Sequence, residues 1–154
     1  MEPSLPTPEQ VSLEALRQHR AELRDAISAL EQALAAPAPG RLGAWTERVH
    51  VAVVELVADF REHIDVTEGP DGLYHGLLTT APRLSNAVAH LTLQHTEIRD
   101  LADDLLACVS GPEVIDADRV RDLGTVLLGR LVRHRQRGSD LVYEAYQADI
   151  GGET

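Results

Sequence analysis

The chain has 154 residues, a formal net charge of −11 and 44% hydrophobic residues, enough for one domain with an aliphatic core. All 14 basic residues are arginines, and the acidic excess argues against binding a phosphate backbone, so no nucleic-acid partner is expected. Cys108 is the only cysteine, and the longest apolar run, Val51 to Phe60, is interrupted by Glu55 and Asp59. The chain also opens without a signal-peptide pattern, so a cytoplasmic location away from membranes is expected.

Three prolines within the first eight residues predict a loose arm over 1–8. Thr7 before Pro8 reads as a helix cap followed by proline at the first helical position. Leu13, Leu16, Leu23, Ile27, Leu30 and Leu34 then recur at helical spacing until Pro37-Ala38-Pro39-Gly40 stops the helix. A second helix starts near Leu42 and carries Trp45, Val49, Val53, Leu56 and Phe60. Gly69-Pro70-Asp71-Gly72 turns the chain, and a short piece from Leu73 to Leu78 leads to Pro82. A third helix carries Leu84, Val88, Leu91, Ile98, Leu101 and Leu105 and ends at Ser110-Gly111-Pro112. The fourth carries Val120, Leu123, Leu127, Leu131, Leu141 and Ala145 and fades at Gly151-Gly152. With no strand signal and short connections, the expected fold is all-α, an antiparallel up-down-up-down four-helix bundle over residues 9–150, followed by a tail at 151–154.

Four of the seven histidines fall on the apolar stripes, one per helix. His19 lies between Leu16 and Leu23, His63 follows Phe60 by three, His95 lies between Leu91 and Ile98, and His134 follows Leu131 by three. His50 and His90 fall beside their stripes. Burying one imidazole without a partner costs about 1–3 kcal/mol, so four on one core argue for a shared purpose. In an antiparallel bundle all four can meet at one height. Glu68 and Asp140 lie close by in sequence, five after His63 and six after His134. Imidazole and carboxylate together hold iron, manganese or zinc, as one ion or a bridged pair.

This pattern resembles the hemerythrin-like family, also called the HHE cation-binding domain, from about Ser12 to Gly152. The resemblance implies a bundle around an oxo- or hydroxo-bridged iron pair. Its usual ligands are one histidine on the first helix, His-x3-Glu on the second, His-x3-His on the third and His-x4-Asp on the fourth. The metal ligands it implies are His19, His63, Glu68, His95, His134 and Asp140, with both carboxylates as bridges. Three positions depart from the pattern. Glu68 is spaced five from His63 rather than four. The partner of His95 would be Leu91 or Arg99. Asp140 is one residue beyond the expected position, which holds Ser139, and a π-bulge at Gly138 would shift it inward. His75, Glu97 or Tyr143 is a candidate to replace the missing ligand.

Fewer ligands leave more open positions, which favours chemistry on O2, peroxide or nitric oxide over reversible oxygen carriage. A di-iron oxidase or oxygenase acting on a small polar metabolite is the alternative, with residues 69–75 as a lid hinged at Gly72 or as a plain turn. A metal-free helical interaction module is a third reading. The chain is expected to be a monomer or weak dimer.

Overall fold

The structure is a computed structural model that describes residues 8–151, with side chains described for residues 14–145. The Thr7 cap and the arm over 1–7 lie outside the described residues. The described elements are α1 (Pro8–Ala35), α2 (Leu42–Glu68), the short α3 (Leu73–Thr80), a 3-10 turn at Pro82–Leu84, α4 (Ser85–Ser110) and α5 (Ala117–Gly151). No strand occurs among the described residues, and none of their helices is long and apolar enough to cross a membrane.

Helix α1 packs on α2, α2 on α4, α4 on α5, and α5 closes the ring on α1. The α1–α2 and α4–α5 connections cover only residues 36–41 and 111–116, so these packed neighbours run antiparallel. At the far end of the ring Arg121 fastens α5 to α1. Its guanidinium donates to the carbonyls of Leu34 and Ala36 at 3.2 and 3.1 Å and lies 5.0 Å from the Trp45 ring centroid. These carbonyls end α1 without partners of their own, which is where a cation is most useful. Close by, α5 runs so near α1 that a Cβ on Gly124 would overlap the Leu34 side chain.

Nearly every stripe residue faces inward, but the interior divides into two apolar clusters. The larger one joins Leu23, Ile27, Leu30, Val49, Val53, Phe60, Ile98, Leu105, Leu127 and Leu131. The smaller joins Tyr74 and Leu77 of α3 with Leu84, Val88, Leu91, Leu141 and Ala145. The boundary falls between Leu91 and Ile98 in α4 and between Leu131 and Leu141 in α5. Those intervals contain His95 and His134, so a polar layer lies between two apolar ones.

Residues 69–84 do more than connect. A Cβ on Gly72 would lie 2.7 to 2.9 Å from the carbonyl oxygens of Thr67, Val66 and Gly69. Only a residue without a side chain lets the chain fold this tightly against the end of α2. The turn starts α3 at Leu73 and lays Tyr74 over the polar layer, where its ring stacks on His95 at 5.7 Å.

Candidate metal centre

His63, His95 and His134 converge in the polar layer, with ligand atoms all within 4.8 Å of one another. His95 and His134 are 1% and 3% exposed; His63 is partly buried. The Nε2 atoms of His63 and His134 are 3.3 Å apart. Beneath them Phe60 presents its ring to all three, with centroids 5.5 to 6.2 Å away.

Two of these rings are held from behind. Glu68 Oε2 lies 2.8 Å from His95 Nδ1, and Gln94 Oε1 lies 2.8 Å from His134 Nδ1. A carboxylate or amide oxygen can only accept, so each Nδ1 carries the proton and each Nε2 turns a lone pair inward. The Tyr74 hydroxyl is 3.4 Å from His95 Nε2. Burial, reinforced by the neighbouring rings, holds His63 down to about 2 and His134 down to about 4. Burial also lowers His95, although the bond and charge of Glu68 oppose it. At neutral pH the three imidazoles are therefore uncharged, the form in which they bind metal.

Two nitrogens sharing one ion at about 2.0–2.1 Å in a tetrahedron lie roughly 3.3–3.4 Å apart. The His63–His134 separation fits that span, and the Nδ1 contacts are the outer support a ligating histidine normally has. A single ion therefore fits these residues. Neither carboxylate expected as a bridge faces these three nitrogens. Glu68 ends α2 and reaches the layer, but its carboxylate stands on the Nδ1 side of His95. Asp140 is exposed and accepts from Gln136 Nε2 at 3.0 Å. Gly138 lies in uninterrupted α-helix, so the bulge expected there does not form and Asp140 keeps its outward register. The residue one before Glu68, at the family's carboxylate spacing, is Thr67. It is buried, and its hydroxyl donates to the His63 carbonyl at 2.7 Å.

His19 reaches the same level and stacks on His63, with centroids 5.5 Å apart and planes at 18°. Its ring is not one of the three that converge. None of the suggested replacement ligands reaches them either. His75 and Tyr143 are exposed, and Glu97 is exposed and pairs with Arg130 at 3.0 Å. His50 is half-buried and His90 exposed, beside the stripes as expected.

Sequence reasoning passed over Gln94 and Tyr74 as parts of the site. Gln94 precedes His95 by one residue, and only the α4–α5 packing turns it toward His134. Tyr74 follows the glycine turn, and nothing in the linear sequence marks which ring it will cover. A cavity of about 140 Å³ borders the cluster, with His19, His63, Thr67, Tyr74, His134 and Leu141 among its walls.

A family model described as the hemerythrin HHE cation-binding domain matches residues 11–146. Neither the curated proteins nor the solved structures yield a match.

Proposed function

The chain belongs to the hemerythrin HHE cation-binding family, and on that premise we propose that it holds one non-haem iron ion on His63, His95 and His134 and reacts there with O2, peroxide or nitric oxide. The observation that carries this reading is the convergence of three neutral imidazoles, two of them oriented through Nδ1 by Glu68 and Gln94. Iron is the family's metal; three imidazoles also suit zinc, so identity is part of the test. A bound iron ion would supply Lewis acidity and one-electron exchange, with coordination positions left open for a small ligand.

The chain's own residues support such chemistry. Phe60 closes the floor and keeps water from the apolar core below. Tyr74 keeps its phenol proton, its pKa pushed up to about 12 chiefly by burial. The phenol oxygen lies 3.4 Å from His95 Nε2, where its proton can be donated to a small molecule seated beside the rings. Cavities of about 140 Å³ along His19, His63 and Tyr74 and of about 320 Å³ along Gln94 and His134 border the cluster, which gives room for a small oxidant and for a small organic substrate alike. A cytoplasmic oxidoreductase, monomeric or weakly dimeric, is the corresponding cellular reading.

Metal analysis of the isolated chain tests it. Iron should be present, and His63→Ala and His134→Ala should each lose the histidine-held ion, while His50→Ala keeps it. Full retention of that ion in both cluster variants would show that the site is elsewhere.

A further inference from the structure

One buried imidazole takes no part in the three-histidine cluster. His19 is 3% exposed, and neither of its ring nitrogens has a hydrogen-bond partner. Because its ring lies almost parallel to His63, the two cannot readily aim their edges at one point. Its ligand atom is instead within 4.8 Å of carboxylate oxygens of Glu22 and Glu62.

Helical geometry accounts for the grouping. Glu22 follows His19 by three and so shares its face of α1. Glu62 comes from α2, which packs directly on α1. Gln18 Nε2 donates to Glu22 Oε1 at 3.2 Å, steadying that carboxylate one turn further along. Two carboxylates are thus gathered beside an imidazole whose nitrogens have no partner. A divalent cation answers both the carboxylate crowding and the unpartnered ring. Among the described residues no cationic side chain is paired with either carboxylate.

We propose that His19, Glu22 and Glu62 form a second cation site between α1 and α2, separate from the three-histidine centre. Glu22 and Glu62 are not at positions the family pattern assigns to ligands. One imidazole with two carboxylates is a harder donor set than three imidazoles, so the site should take Mn2+ or Fe2+, with water completing the shell.

Titrating the metal-free chain with Mn2+, and following free Mn2+ by its electron paramagnetic resonance signal, tests the proposal. The Glu22→Gln/Glu62→Gln double variant should bind one equivalent less than the wild type. Both substitutions are isosteric and on the bundle's outer surface, and matching far-ultraviolet circular dichroism confirms the variant's fold. Equal uptake by the two proteins, or no uptake by either, would overturn the proposal. His134→Ala judges the three-histidine reading separately: it should leave the equivalent that depends on Glu22 and Glu62 in place. If His134→Ala removes nothing while the double variant still loses one equivalent, the α1–α2 site stands and the three-histidine centre falls.

Discussion

At the scale of single residues, the site depends on which nitrogen of each imidazole is occupied. Glu68 and Gln94 accept hydrogen bonds from Nδ1–H of His95 and His134, which leaves the Nε2 lone pair of each as the donor to a metal. Neither residue needs to touch a metal to matter. Replacing such an outer partner typically lowers metal affinity 10- to 100-fold. Glu68→Ala should therefore weaken the histidine-held ion by roughly 10- to 100-fold in competition with a chelator, without abolishing it. A direct ligand or bridge would behave differently, with loss as complete as for His63→Ala. Asp140→Ala should leave affinity unchanged, since its carboxylate faces solvent and Gln136.

The residue scale is also where the sequence misleads. Glu68 and Asp140 look equivalent when counted from the nearest histidine. They separate only because α2 ends at Glu68 while α5 continues unbroken through Gly138 and Asp140. A side chain at a helix end can bend round a neighbouring ring. One in mid-helix keeps the face its register gives it, about 100° per residue.

At the scale of elements, far more was legible. The apolar spacing marked four long helices, and the glycine and proline clusters marked their ends within a few residues. This works because burial of a stripe is a property of one helix and its period. It placed His19, His63, His95 and His134 inside; His19, His95 and His134 are buried and His63 is partly buried. What spacing could not supply is the path of residues 69–84. Whether this segment is a turn or a cover depends on the room left above Thr67 and Val66, which only a glycine at position 72 can use. The result is α3, and through it Tyr74 against His95. The division of labour among the rings was equally invisible. Four stripe histidines suggest one centre, but the stacking of His19 on His63 turns the first ring toward Glu22 and Glu62 instead.

At the scale of the whole molecule, the polar layer interrupts the core. The larger apolar cluster stabilises the bundle on one side, and the α3 end closes it on the other. Each fully buried leucine or phenylalanine contributes about 1.5–3 kcal/mol, which is what allows uncharged imidazoles to be carried between them. That arrangement has a cost at low pH. Unfolded, His63 and His134 take up protons below about pH 6.5. Folded, they resist protonation until about 2 and about 4. The unfolded state then binds more protons, so their contribution is complete above about pH 6.5 and is lost progressively as pH falls. Each can remove up to about 1.4 kcal/mol per pH unit in that window. The urea midpoint of the metal-free protein should therefore drop steadily from pH 7 to pH 5. Asp59 is held above the ordinary carboxylate value by burial and by Glu22 and Glu62, so its effect has the opposite sign, and it acts nearer the carboxylate range. A midpoint that stays flat between pH 7 and pH 5 would mean that the folded histidines take up protons as readily as those of the unfolded chain.

The proposed centre is a single ion on three imidazoles, without a bridging carboxylate. Iron-edge X-ray absorption on protein loaded with one equivalent of Fe2+ tests it most directly. A single-ion centre should give a nitrogen-rich shell showing imidazole scattering and no iron neighbour within about 4 Å, the spacing typical of two-metal sites. An iron–iron contact at that distance would contradict it and restore the bridged pair.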